Sequence, residues 1–241
     1  FGVRYKKQGF VFDVSGSSIF PTKDLEVVLA FLCSNVSFYY LRALAPTVNF
    51  QVGDLARLPL PDLHGVEKTE VVKLAKFNVQ LCKEDWDSSE TSWDFQRHRF
   101  IEFAKEKLES SCFDFLRHWD DQRNSLRENE EEINRIFIES YSVQGEVDPL
   151  VNDRDLSIKK ADLVQVVESF ISYAIGCMMG RYSLDEPGLI YAHAGNVGFE
   201  PDRYATFPAD ADGIVPITEE LWFTDDAPSR IREFLLAVWG P

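Results

Sequence analysis

In the stretch IEFAKEKLESSCFDFLRHWDDQRNSLRENEEEINRIF, residues 101–137, the side chains of Ile101, Ala104, Leu108, Cys112, Phe115, Trp119, Leu126, Ile133 and Phe137 recur near three- and four-residue steps. That spacing lines one face of an α-helix with apolar groups. It predicts a long helix or helix pair with a seam of coiled-coil type, weakened where Gln122, Arg123, Asn129 and Glu130 occupy the stripe. Gly145 and Pro149 stop the pattern.

Working outward, Val71, Leu74, Ala75, Asn78, Val79 and Cys82 define an amphipathic helix upstream. An acidic connection, Asp85–Phe95, joins it to the long pattern, with Trp86 and Trp93 expected to anchor the loop. Downstream, a helix beginning at Asp155 or Ser157 runs to Gly180. After Gly188 come a turn at Asp210–Gly213, a short apolar run Ile214–Ile217, and a last helix, Ser229–Trp239. The chain's beginning reads differently. Residues 1–13 alternate apolar and polar around a break at Lys6–Gly9, a hairpin signal. Residues 25–40 form a helix apolar on more than one face, ended by Ala45-Pro46. Asn49–Val52 reads as a short strand with Phe50 and Val52 on its core face, closed by Gly53 and Asp54, and Pro59 and Pro61 punctuate the end. The expected fold class is therefore α+β and mostly helical: a small hairpin-and-helix unit over residues 1–62, a long-helix spacer over 63–145, and a helical region with a short α/β tail over 146–241.

Hydrophobic residues at 45% and charged residues at 27% describe a folding chain rather than a disordered one. The longest apolar stretch, Leu163–Met179, is interrupted by Gln165, Glu168, Ser169 and Ser172, so it reads as a packed core helix and not a membrane span. Phe1 opens directly on a strand-like pattern without a leader's basic region, and the expected location is the cytoplasm. Cys33, Cys82, Cys112 and Cys177 form no C-x-x-C pair, which argues against a zinc site or a disulfide scaffold. His98 and His118 lack a companion ligand at helical spacing, and the carboxylates Asp85, Asp87, Glu90 and Asp94 lack the spaced lysine of a nuclease motif. No metal is expected. Gly176-x-x-x-Gly180 suits the close approach of two buried helices.

The net charge of −15 is unevenly spread. Residues 1–60 hold six basic against four acidic side chains, +2, and the remainder 19 against 36, −17. Phosphate contact needs Lys and Arg, so a nucleic-acid surface is expected in the first quarter of the chain. Arg4, Lys6, Lys7 and Gln8 crowd the hairpin tip, with Lys23 and Arg42 completing the candidate set. A charged tip is equally at home in solvent, and composition alone leaves both readings open.

Segments LCSNV (32–36), Tyr40-Leu41, PTVNFQVGDL (46–55) and Leu58-Pro59 resemble the ending of target-recognition domains in bacterial adenine methyltransferases, type I specificity subunits and type IIG restriction-modification enzymes. DWDSSETSWDF (85–95), NRIFI (134–138) and SYAIGCMMGRYSLD (172–185) narrow the resemblance to the PglX-like adenine-specific DNA methyltransferases of bacteriophage exclusion systems. It covers nearly the whole chain, and implies a C-terminal-side piece of an S-adenosylmethionine-dependent enzyme that methylates adenine in double-stranded DNA. Within it, Asn49, Phe50, Gln51, Gly53, Asp54 and Pro59 are structural. Catalysis in that family needs a glycine-rich cofactor loop and an Asn-Pro-Pro-Tyr motif for the flipped adenine. Here Asp148-Pro149 is followed by Leu150, and Asp13–Gly16 holds one glycine. No catalytic residue or cofactor is therefore assigned to this stretch. A protein-interaction module docking other defence-system subunits, or receiving phage inhibitors, is the alternative, carried by the acidic helices.

Overall fold

Ser34 divides the apolar run expected as one helix into two. In a computed structural model, which describes residues 2–13, 16–45, 50–60, 62–193, 195, 197–218, 220 and 222–241, α1 spans Leu25–Cys33 and α2 spans Asn35–Leu44, bent by 69°. Ser34 adopts an extended conformation; its hydroxyl donates to the Phe31 carbonyl at 2.7 Å and accepts from the Ser37 N–H at 3.2 Å. One side chain thus closes the first helix and caps the second. Ala45 ends α2, as the sequence leads one to expect. No single described helix is long and apolar enough to cross a membrane; α1 and α2 meet the requirement only as a bent pair, by length and composition.

The remaining helices are α3 (Val52–Leu55), α4 (Gly65–Asp87), α5 (Leu108–Ser140), α6 (Leu163–Met178) and α7 (Ala227–Trp239), with 3-10 turns at Arg99–Phe103 and Pro201–Arg203. Capping explains their limits. Asp162 accepts from the Val164 N–H and Asp226 from the Ser229 N–H, so α6 begins later, and α7 earlier, than periodicity alone indicates. Beyond α5, Ser142 turns left-handed at φ 54° and the Val143 N–H reaches back to the Ile138 carbonyl.

An α+β architecture is not what forms. Among the described residues there is no β-strand, only an isolated bridge between Gln144 and Val147. Residues 2–13 keep the expected turn at Gln8-Gly9, with Gly9 at φ 99°, but make no ladder. A two-stranded ribbon is marginal without a third strand or a packed face, and here Phe10, Val11 and Phe12 are exposed. The expected strand 49–52 fails for a local reason. The Asp54 carboxylate accepts from the Gln51 N–H at 3.0 Å, starting a helical turn that leaves Val52 62% exposed instead of in the core. Asn49 lies outside the described residues. The tail run 214–217 forms no strand either, and Ile214 and Ile217 are exposed.

Two compact units, each discontinuous in sequence, result: Phe1–Cys82 with Gln122–Lys159, and Lys83–Asp121 with Lys160–Pro241. The apolar stripe of α5 is divided between two cores. Ile133, Phe137 and Ile138 join Val27, Phe31, Val36, Leu41, Val71 and Leu74 in the first. Cys112, Phe115 and Leu116 join the second, around Phe170, Tyr173, Met178 and Phe234. The polar residues that interrupt the stripe are paired: Arg123 is buried and bonds Asp153 at 3.0 Å, while Asn129 donates to Asn78 of α4 at 2.8 Å. Buried polar groups with partners specify register where apolar ones would allow slippage.

Candidate nucleic-acid interface

Arg4, Lys6, Lys7 and Gln8 lie together on one exposed, non-helical segment rooted in the first unit. Its root is fixed: Val3 packs on the first core, and its carbonyl accepts from the Cys33 thiol at 3.6 Å. Desolvation raises the pKa of the Cys33 thiol above its usual value, and the bond to Val3 opposes that shift. Arg4 donates to the Val3 carbonyl at 3.1 Å and lies beside Glu130 of α5. Burial pushes the Glu130 carboxyl up to about 7; Arg4 opposes that shift and Asp155 adds to it.

Beyond Arg4 the segment projects. Tyr5, Lys6, Lys7 and Gln8 are exposed, and the Lys6 ammonium stands 5.0 Å from the Phe10 ring centroid across the turn. Phe12 and Phe20 pair at 5.3 Å, so aromatic and cationic groups interleave along one strap. Lys23 and Arg42 are exposed elsewhere on this unit, Lys23 in the turn before α1 and Arg42 in the last turn of α2 with its guanidinium 5.8 Å from the Phe38 ring. A cation there also complements the helix C-terminus. The structural set divides. Phe50 packs on the first core, the Pro59 carbonyl accepts from the Tyr141 hydroxyl, and Gln51, Gly53 and Asp54 build the start of α3.

Several groups that sequence reasoning passed over tie together the first unit. Asn134, 2% exposed, accepts the Asn35 N–H at 2.9 Å and donates to the Pro149 carbonyl at 2.9 Å. Asn35 in turn donates to the carbonyls of Asp148 and Leu150. The orphan first N–H of α2 is thereby satisfied from 99 residues away. The only sequence signal was that both asparagines fall within the segments carrying the family resemblance.

The other chemical groupings resolve as structure. Asp87 bonds Lys83 and Ser92, and Lys83 also pairs with Asp94, so two of the carboxylates share one lysine, and no group able to hold a metal ion occurs among the described residues. Trp86 and Trp93 do not anchor this connection; both are exposed, and Phe95 supplies the buried ring. His98 contacts Ser169 at 3.0 Å and is held by burial at a pKa of about 4, an uncharged core group. Gly176 and Gly180 admit aromatic rings, of Tyr182 and Phe199, in place of a second helix; a Cβ at Gly176 would lie 2.6 Å from the Tyr182 ring. Among the described residues Gly16 closes a turn onto the Asp13 carbonyl but opens no helix, and the residue before α1, Asp24, is an acid in left-handed conformation.

What fold and surface together define is a helical segment, two units in one chain, that bears a basic non-helical strap. No family model matches the chain. It is 37% identical, over 249 aligned positions, to the adenine-specific methyltransferase PglX of Lacticaseibacillus casei (strain Zhang), and 34% identical, over 266, to the adenine-specific methyltransferase BrxX of Escherichia coli O9:H4 (strain HS). Both alignments take in the whole chain, which spans about one-fifth of the length of these relatives (20% and 21%). The chain is thus homologous over its whole length to one segment of the PglX and BrxX adenine-specific methyltransferases.

Proposed function

We propose that this chain is the DNA target-recognition and scaffold portion of an S-adenosylmethionine-dependent adenine-specific DNA methyltransferase in anti-phage defence, and that it contributes recognition and not catalysis. Residues 1–62, standing on the first unit, supply the DNA-facing part. The observation that carries this reading is the exposed strap Arg4–Gln8, where cations, an amide and aromatic rings project from an otherwise acidic chain. Lysines and arginines on such a segment neutralise phosphates, and Gln8 and Arg4 are the side-chain types that read base edges. The rest of the chain, at −17, is suited to hold that strap and face other protein. Adenosylmethionine and the reacting adenine belong, on this reading, to the remaining four-fifths of the parent.

Salt-dependent DNA binding by the full-length parent tests it. Lys6→Ala/Lys7→Ala/Gln8→Ala should weaken binding, and should lower the slope of log K against log salt by about 1.8 for two lost phosphate contacts. Mapping methylated adenines by single-molecule sequencing should show relaxed or lost target choice. Unchanged affinity together with an unchanged methylated sequence would remove the strap from the recognition surface.

A further inference from the structure

In the second unit, the connection after α4 folds over a carboxylate that the protein leaves half satisfied. Glu90 Oε2 accepts from the Tyr182 hydroxyl at 3.5 Å, whereas Oε1 is buried with no hydrogen-bond partner. It borders a cleft of 280 Å³ walled by Phe95 and Tyr182, whose rings meet edge to face at 5.2 Å, with Trp93 and Leu189 exposed at the rim. Phe95 and Tyr182 belong to the second core, so the walls are rigid. Residues 83–94 carry five carboxylates and one lysine, and that lysine, Lys83, is engaged by Asp87 and Asp94. Arg181 acts on the Tyr182 hydroxyl, but no ion pair of Glu90 occurs among the described residues.

A buried carboxylate oxygen without a donor costs about 1–3 kcal/mol or more, a penalty that an arriving N–H removes. Aromatic faces beside it attract cations. At 280 Å³ the cleft lies at the small end of ligand pockets, large enough for one long side chain. Its carboxylate surroundings repel a phosphate backbone, disfavouring a nucleotide. We propose that the Glu90–Trp93–Tyr182 cleft receives a single cationic side chain, an alkylammonium or guanidinium presented by a partner protein, with Glu90 accepting its N–H groups and the Trp93 and Tyr182 rings covering its stem. The proposal does not rest on the DNA reading, since it concerns the other unit and a ligand of opposite charge.

The indole N–H resonances of the full chain's five tryptophans report directly, with Trp93→Phe assigning the one at the rim. The probes are Nα-acetyl-lysine methylamide, its arginine counterpart, the neutral norleucine counterpart, and adenosine. A saturable shift of the Trp93 resonance with the lysine or arginine probe is expected, at least tenfold weaker with norleucine and in Glu90→Gln. Trp119 and Trp239, which pack in the second core, should stay in place and certify the fold. A norleucine response equal to the cationic ones, tighter binding of adenosine, or no saturable shift with either cation would overturn the proposal. Should Glu90→Gln fail to fold, salt decides in the unmodified chain: added sodium chloride must weaken the lysine probe and leave norleucine unaffected, and an equal response of both would overturn it.

Discussion

The two units close their cores by different means. The first packs mostly aliphatic side chains around a small ring cluster, Phe31, Phe137, Tyr40 and Tyr141, and adds polar clasps, Asn134 to Asn35, Asn129 to Asn78 and Arg123 to Asp153. The second is a lattice of rings in which Phe170, Tyr173 and Phe207 all pack against Phe234 at 5.2–6.2 Å, with Phe100 and Trp239 extending it. Burial also shifts an ionisable group of opposite type in each, Glu130 in the first and His98 in the second. Burial disfavours charge on both, so it raises the acid and lowers the base. One physical cause therefore gives these two groups opposite contributions to stability as pH changes.

The largest effect should come from the ring lattice. Phe234→Ala removes a fully buried ring at its centre and should destabilise the second unit by about 3–5 kcal/mol. Hydrogen exchange should localise that loss to residues 83–121 and 160–241; an equal loss in the first unit would erase the distinction between the cores. Next comes pH. An imidazole at an ordinary 6.5 unfolded and about 4 folded stabilises the second unit above 6.5, and that stabilisation is lost as pH falls toward 4, on the order of 3 kcal/mol in all. Glu130, ordinarily 4.5 and raised to about 7, favours the folded first unit below 4.5 and loses this as pH rises to 7, by less because Arg4 and solvent attenuate it. Exchange at pH 5 and pH 7.5 should show the units shifting in opposite directions, and Glu130→Gln should flatten the first. Parallel shifts would break the comparison.

Asn134→Ala ranks third. It strands the Asn35 N–H and the Pro149 carbonyl, and about 1–3 kcal/mol should be lost from the first unit in chemical denaturation. A loss under 0.5 kcal/mol would mean the clasp is dispensable. Smallest of all, Lys6→Ala/Lys7→Ala/Gln8→Ala touches exposed side chains and should change stability by less than about 0.5 kcal/mol, whatever it does to DNA binding. A larger thermal shift would make the strap a structural element.

Local pattern was sufficient for what depends on local spacing. The stripe from Leu108 to Phe137, the amphipathic run from Val71 to Cys82 and the proline at the start of α7 all form helices because a helix satisfies its own backbone within a few residues. The same reasoning failed for residues 2–13 and 50–52, where the pattern was read as strand, and for the short α/β tail, where no strand forms among the described residues. A strand completes its hydrogen bonds only with a neighbour, and alternation does not say whether one is present. The break at Ser34 was locally encoded and passed over, because apolar residues on both sides of it masked a capping serine. Of the candidate surface, Arg4, Lys6, Lys7 and Gln8 were legible as exposed and cationic, while their support by Cys33, Glu130 and Asn134 depends on contacts spanning 30 residues or more.

By itself the sequence determined the helical periodicity, the charge split between residues 1–60 and the rest, the absence of an Asn-Pro-Pro-Tyr run, and the kinship with PglX and BrxX. Only the tertiary structure decided that no sheet forms among the described residues, that one helical stripe serves two cores, that Phe95 turns in where Trp93 turns out, and that Glu90 keeps a buried oxygen without a partner. The reason is that periodicity states which faces are apolar, whereas burial and hydrogen-bond satisfaction depend on which distant residues arrive to cover them.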